Sequence, residues 1–259
     1  MDDKQCSGYM QAPESILKIW NRFDSFPMDT LVKVWHYDPQ RELQQRTVEE
    51  MRKHRAKYGI TGNCFDLALW LWQEFRENGV EASLIGHDLH TEEAHVAVVA
   101  RSKEGFAYLC DLGDQWLQPI LIDSESRDFR AGRHGGFFPA ADIEVLPFEH
   151  HVNIFYHRPN GKRSSQSYDL SPVDYKEFLR AADLSQRTFR SSPLIECRLP
   201  FRGEVAHWEL EGWQSQISTS KGIIHEPSLH TLEEWGERVH IRTGYDRKFL
   251  QRAMSDYFS

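Results

Sequence analysis

The chain has 259 residues, of which 40% are hydrophobic and 27% charged, and its formal net charge at pH 7 is −8. This length can bury a sizeable core, as one large domain or as two or three lobes. The negative charge and the lack of any apolar run long enough to cross a bilayer predict that neither nucleic acid nor membrane is a partner. An acidic N-terminus without a signal-peptide pattern, and four irregularly spaced cysteines, predict a reduced, cytoplasmic location; the cysteines are Cys6, Cys64, Cys110 and Cys197.

The first part of the chain, residues 1–79, is predicted to be a helical lobe. Helical periodicity covers residues 13–23 and 47–58, and Thr47 begins the second helix with the spacing of a capping box. Residues 29–35 between them fit either a helical turn or a short strand.

The most informative run is residues 61–75, with the sequence TGNCFDLALWLWQEF. Leu67, Leu71 and Phe75 recur at four-residue spacing and form one apolar helix face. Cys64 is therefore predicted to lie at the N-terminus of a buried helix. Unpaired backbone N–H groups and the helix dipole favour a negatively charged thiolate at that position.

Residues 80–170 are predicted to form a central antiparallel sheet or barrel. Alternating and β-branched runs indicate strands at 80–86, 94–101, 106–112, 117–122, 143–148, 152–158 and 166–170. Asn160-Gly161 is a strong hairpin signal. Residues 123–142 are predicted to be a long loop, in which the Gly-Gly-Phe-Phe run at 135–138 either lines a pocket for an aryl group or is ordinary surface.

Residues 171–259 are predicted to form a C-terminal α/β lobe. Ser171 followed by Pro172 predicts a helix that runs to about Asp183. Strands are predicted at 194–201, 205–210 and 213–218, and helices at 232–239, after a capping box, and 245–257. The fold class is therefore α+β, with the cysteine on the helical lobe.

Two further candidate catalytic residues lie at the ends of predicted strands. His95 begins the strand at 94–101, and Asp111 ends the next strand. If Arg101 pairs with Gly105 across the intervening hairpin turn, His95 lies directly opposite Asp111, whereas a register one residue different puts them on opposite faces. The favourable register predicts a nucleophile, a base and an orienting carboxylate: Cys64, His95 and Asp111.

This arrangement resembles the arylamine N-acetyltransferase family, within the papain- and transglutaminase-like superfamily. The family motif, roughly Arg-Gly-Gly-x-Cys-Phe-Glu, is partly kept here, with Ile60 and Thr61 at its first two positions and Gly62, Cys64, Phe65 and Asp66 at the others. The strand that begins at His95 is similar to the family's histidine strand. The Asp-Val-Gly-Phe-Gly run is represented by Asp111-Leu112-Gly113-Asp114-Gln115, with Pro119-Ile120 after it.

The resemblance implies a three-lobed, cysteine-proteinase-like fold with a C-terminal lid. It also implies ping-pong transfer of an acetyl group from acetyl-CoA, through Cys64, to an arylamine, an arylhydrazine or a similar small amine. Coenzyme A would enter between the barrel and the third lobe, although the residues that bind it are not identified by the sequence. Acetyl-CoA would be a co-substrate, and no metal is predicted, because His87, His90 and His95 match no standard zinc spacing.

Other interpretations use the same residues. A transglutaminase-like hydrolase or amidase would use the same triad with a different donor and acceptor. A binding protein that kept the fold would have Cys64 as a small buried hydrophobe, with His95 and Asp111 as ordinary strand-end residues. Asp66 is either a carboxylate stabilised by the helix dipole or a group that holds the triad.

Overall fold

The computed structural model describes residues 10–257, so Cys6 lies outside the described part. Within these residues the chain has seven α-helices and three antiparallel sheets, which confirms the predicted α+β class. Cys64, Cys110 and Cys197 are free thiols. No helix in residues 10–257 is long and apolar enough to cross a membrane.

The N-terminal segment is mainly helical. Its elements are α1 (Glu14–Trp20), β1 (Met28–Asp29), α2 (Leu31–His36), α3 (Val48–Tyr58) and α4 (Cys64–Glu77). The predicted capping box of α3 is present, because the Thr47 hydroxyl accepts from the Glu50 N–H and the Glu50 carboxylate accepts from the Thr47 N–H. The buried side of α4 includes the predicted apolar residues Leu67, Leu71 and Phe75.

The middle of the chain forms two four-stranded sheets, ordered β2-β3-β4-β5 and β6-β7-β8-β9. Their strands are β2 (Ala82–His87), β3 (His95–Arg101), β4 (Ala107–Cys110), β5 (Ile120–Leu121), β6 (Arg133–Phe138), β7 (Ala141–Pro147), β8 (His151–His157) and β9 (Arg163–Asp169). The prediction of one long loop over 123–142 is wrong in its second half, which contains β6 and the start of β7. Two glycines and a shift of register between His134 and Phe138 hide the strand pattern of β6.

The hairpin between β3 and β4 has a different register from the predicted one. Arg101 pairs with Ala107 rather than with Gly105, because the turn is longer and the Ser102 N–H donates to the Phe106 carbonyl at 2.9 Å. The error is two residues, and side chains alternate between faces with a period of two. His95 and Asp111 therefore remain on the same face, as diagonal rather than direct neighbours.

The C-terminal segment packs helices against a five-stranded sheet of order β1-β10-β11-β12-β13. Its elements are α5 (Tyr175–Arg187), β10 (Ile195–Phe201), β11 (Glu204–Glu211), β12 (Gln214–Thr219), β13 (Gly222–His225), α6 (Leu232–Thr243) and α7 (Arg247–Ser255). The predicted start of α5 at Ser171-Pro172 is wrong. The Asp174 carboxylate caps this helix instead, since it accepts from the N–H groups of Lys176 and Glu177.

Strand β1 connects this sheet to the segment that carries Cys64. Met28 pairs with Glu196 on β10 and also forms a parallel bridge with Gly62, two residues before Cys64. The Asp29 N–H donates to the Gly62 carbonyl at 2.9 Å. The predicted lobe boundaries after residues 79 and 170 stay predictions.

Candidate functional site

The turn before α4 fixes the position of Cys64. Gly62 has φ +144°, and a Cβ atom there would lie 2.1 Å from the Asp66 Oδ2 atom, so only glycine fits. Asn63 caps the helix by accepting from the Asp66 N–H at 3.1 Å, and Asp66 accepts from the Asn63 N–H at 3.2 Å. As predicted, Cys64 is the first helical residue, and it is partly exposed.

Asp66 contacts a network of buried polar side chains that the sequence does not reveal. Its Oδ2 atom lies 3.1 Å from the guanidinium of Arg46, and each of the two side chains is only 1% exposed. Gln45 donates to the Asp66 Oδ1 atom at 2.8 Å, and Gln186 of α5 donates to Oδ2 at 3.2 Å. Arg46 also donates to the Thr61 carbonyl. The network therefore ties the turn before Cys64 to Arg46 and to α5.

The Asn-x-x-Asp spacing at 63–66 is a capping-box signal that could have identified this role of Asp66. Arg46, Gln45 and Gln186 have no comparable local signal, because their contacts to Asp66 cross long stretches of chain. Asp66 lies in the first turn of α4 and, through its capping bonds and its ion pair with Arg46, helps to fix the segment that carries Cys64, while a role in holding the triad stays a prediction.

His95 and Asp111 form the core of the site. The His95 Nε2 atom lies 2.5 Å from the Asp111 Oδ2 atom, with the imidazole 20% exposed and the carboxylate fully buried. Burial would raise the pKa of Asp111. The charge and hydrogen bond of His95, with hydrogen bonds from the Tyr168 hydroxyl and the Asp114 N–H, instead hold that pKa below its ordinary value. Asp111 is therefore an ionised carboxylate at neutral pH.

The other side of the imidazole faces the cysteine. Because Nε2 is bonded to Asp111, Nδ1 is the ring nitrogen left for the Cys64 thiol. Burial would lower the pKa of His95, but the charge of Asp111, its hydrogen bond and the interaction with Cys64 raise that pKa well above its ordinary value. The structure thus brings the three predicted residues together although the predicted hairpin register was wrong.

Gly113 closes the site against the cysteine. A Cβ atom at this residue would lie 2.8 Å from the Cys64 Cβ atom and 3.2 Å from the Asp111 Oδ1 atom. The backbone of residue 113 therefore packs directly on the thiol-bearing residue, which is possible only without a side chain. In the sequence this glycine belongs to a motif, but no local signal marks it as a contact of Cys64.

Other residues singled out in the sequence have different surroundings. The His87 ring lies 5.9 Å from the His95 ring, centroid to centroid, whereas His90 contacts Glu177 on the surface at 2.6 Å. Cys110 and Cys197 are buried, and burial raises the pKa of both thiols. Neither resembles the partly exposed Cys64.

No protein-family model matches the sequence, and no curated protein sequence is significantly similar to it. Solved structures are similar in three dimensions. An arylamine N-acetyltransferase from Mycobacterium smegmatis has a TM-score of 0.71 at 12% identity, over 96% of this chain and 92% of that chain. The arylamine N-acetyltransferase from Salmonella typhimurium has a TM-score of 0.68 at 14% identity, over 92% and 89% of the two chains.

A structure of Mycobacterium marinum arylamine N-acetyltransferase in complex with CoA has a TM-score of 0.67 at 10% identity, over 93% of this chain and 91% of that chain. The chain therefore has the fold of the arylamine N-acetyltransferases, as the motif resemblance implied. The likeness extends over nearly the whole chain.

Proposed function

We propose that this protein transfers an acetyl group from acetyl-CoA to an arylamine, an arylhydrazine or a similar amine, with Cys64 as the nucleophile. The observation that carries the proposal is the position of His95 between a buried, ionised Asp111 and the thiol of Cys64. The fold shared with arylamine N-acetyltransferases, one of them solved with CoA, supports this choice of donor and acceptor.

The chemistry follows from the proton that Cys64 and His95 share. With His95 as imidazolium, Cys64 is a thiolate at a helix N-terminus, where the dipole favours its charge. Its sulfur attacks the thioester carbonyl of acetyl-CoA, the bond to the coenzyme A sulfur breaks, and the leaving thiolate takes the His95 proton. The amine then attacks acetyl-Cys64, its N–H proton goes to His95, and Cys64 leaves as the thiolate.

Two other groups of the site have roles in this scheme. Asp111 fixes the ring orientation and stabilises the imidazolium, through the bond to Nε2. The first backbone N–H groups of α4, at Cys64 and Phe65, have no hydrogen-bond partner within the helix and are suited to bind the oxyanion that forms during attack. The Asp66 N–H is not available, since it donates to Asn63.

The test is intact-mass spectrometry after mixing the protein with acetyl-CoA and no acceptor. We expect one acetyl adduct, absent in Cys64→Ala and lost on addition of aniline with formation of acetanilide. Cys197→Ala is the matched control, because it removes a buried thiol from the five-stranded sheet and should leave the adduct unchanged.

The contrary outcomes separate the alternatives. If acetyl-CoA gives no adduct while iodoacetamide alkylates Cys64 far faster than Cys110 or Cys197, the acetyl-transfer proposal is wrong and a hydrolase or amidase is favoured. If Cys64 is as unreactive as the two buried thiols, the protein is not an enzyme of this class.

A further inference from the structure

A second carboxyl group, that of Asp114, lies next to the Asp111–His95 pair. The Trp116 indole N–H donates to the Asp114 Oδ2 atom at 2.6 Å, and the Tyr156 hydroxyl donates to the same oxygen. The backbone N–H of Asp114 donates to the Asp111 Oδ1 atom at 3.0 Å. The two aspartates are thus joined by a direct hydrogen bond, and one of them contacts His95.

Two neighbouring carboxyl groups in a buried site do not both ionise readily, because each charge disfavours the other. Asp111 is more strongly stabilised as an anion, since three groups donate to it and one of them is the imidazolium of His95, whereas two neutral groups donate to Asp114. Burial and the charge of Asp111 raise the pKa of Asp114 to about 7. Near neutral pH, Asp114 therefore exchanges a proton while Asp111 does not.

The ionisable groups around Asp114 come from six strands or strand ends. Glu196 raises its pKa together with Asp111, whereas the Tyr156 hydroxyl and the His95 charge lower it, and the charge of Asp114 in turn raises the pKa of His207. The full set is Asp111 after β4, His95 on β3, Tyr156 on β8, Tyr168 on β9, Glu196 on β10 and His207 on β11. Asp114 is thus electrostatically connected to the imidazole of the site.

We propose that Asp114 is a positioning residue that acts through His95: it holds a proton beside Asp111 and, when that proton goes to solvent, adds a second negative charge that keeps the imidazole protonated. This inference rests on the proposed roles of Cys64, His95 and Asp111. Its consequence is that the imidazolium, and with it the thiolate–imidazolium pair, persists to higher pH than Asp111 alone would allow.

The size of the effect follows from electrostatics. In a partly buried site, a nearby unit charge shifts a pKa by on the order of one unit. We therefore expect Asp114→Asn, which keeps an oxygen to accept from Trp116 and Tyr156 but cannot ionise, to lower the pKa of His95 by about one unit.

The experiment is an NMR titration of the histidine ring signals, with the His95 signal assigned by its absence in His95→Gln. In the wild type, the His95 shift should show an additional inflection near pH 7 from Asp114, and in Asp114→Asn that inflection should disappear. Asp24→Asn is the matched control, because burial raises the pKa of Asp24 as well but its charged neighbour is Arg198. The control should leave the His95 titration unchanged.

A second variant tests the same idea if Asp114→Asn does not fold. Because the Tyr156 hydroxyl stabilises ionised Asp114, Tyr156→Phe should move the inflection to higher pH, a direction that a purely structural role does not predict. The proposal is overturned if the His95 titration is the same in the wild type and in the folded variants, or if Asp24→Asn shifts it equally. No acyl donor is used, so the outcome is independent of whether acetyl-CoA acylates Cys64.

Discussion

Replacing Gly113 by alanine tests whether the reactivity of Cys64 depends on the close approach of the backbone at residue 113. The added Cβ atom would lie 2.8 Å from the Cys64 Cβ atom and 3.4 Å from the Cys64 Cα atom. Carbon atoms in contact prefer a separation of about 3.5–4.0 Å, so one of the two backbones must move by about 0.7 Å or more. Both are fixed, Cys64 by the capped start of α4 and Gly113 by its neighbour Asp111.

The expected cost is twofold. Forcing an extra methyl group into a packed site destabilises by about 1–3 kcal/mol, which in a protein of this size lowers Tm by roughly 2–12 °C. A displacement of the nucleophile approaching 1 Å lowers the rate of its reaction by about 100-fold. The rate of Cys64 acetylation by acetyl-CoA, followed by intact mass, measures the second effect, and thermal unfolding measures the first.

Gly236→Ala is the matched control for this variant. Gly236 lies inside α6, and nothing lies within 4 Å of a Cβ atom at that position. The control should therefore stabilise the protein by about 0.5–1 kcal/mol and leave the reactivity of Cys64 unchanged. If Gly113→Ala reacts within threefold of the wild-type rate, the contact of Gly113 with Cys64 does not position the thiol and the reasoning is refuted.

Three further substitutions test buried polar contacts. Asp66→Asn removes the counter-charge of a buried guanidinium and should cost about 3–5 kcal/mol in urea unfolding; a loss below about 1 kcal/mol would contradict a structural role for this pair. Tyr168→Phe removes a donor that lowers the pKa of Asp111. The pKa of Asp111 should therefore rise, and the acid limb of the pH profile of Cys64 alkylation should move to higher pH. An unchanged acid limb would show that the Tyr168 hydroxyl does not stabilise ionised Asp111. Tyr245→Phe removes the hydroxyl that donates to buried Asp29 at 2.6 Å and should cost about 1–3 kcal/mol, whereas an unfolding free energy equal to that of the wild type would count against this bond.

The cluster of Cys64, His95 and Asp111 was predictable because its sequence signals are local. The apolar spacing after Cys64 and the capping residue before it specify a helix start, β3 begins at His95, and β4 ends one residue before Asp111. The predicted register of the β3–β4 hairpin was wrong by two residues, and a shift of two residues keeps the His95 and Asp111 side chains on one face of the sheet. A turn whose length differed by one more residue would have placed the two side chains on opposite faces.

What could not be predicted depends on contacts between distant segments. Nothing near Arg46 in the sequence shows that it pairs with Asp66, and nothing near Asp174 shows that it, rather than Ser171, begins α5. For α5 the competing influence is the sheet, since the Val173 N–H donates to the Leu84 carbonyl at 2.8 Å and keeps this segment extended. Tertiary hydrogen bonding therefore decides where the helix begins.

The pairing of β1 also bears on the order in which the molecule assembles during synthesis. Cys64, His95 and Asp111 all leave the ribosome before β10, the partner of Met28, has been made. The turn at Gly62 is bonded to β1, and the Thr61 hydroxyl lies 2.5 Å from the hydroxyl of Tyr245, close to the C-terminus. A nascent chain thus carries Cys64, His95 and Asp111 before the segments that support the turn at Gly62 have been made. Strand β10 and the loop that holds Tyr245 complete that support, so the Cys64 thiol gains its final setting only after both have folded.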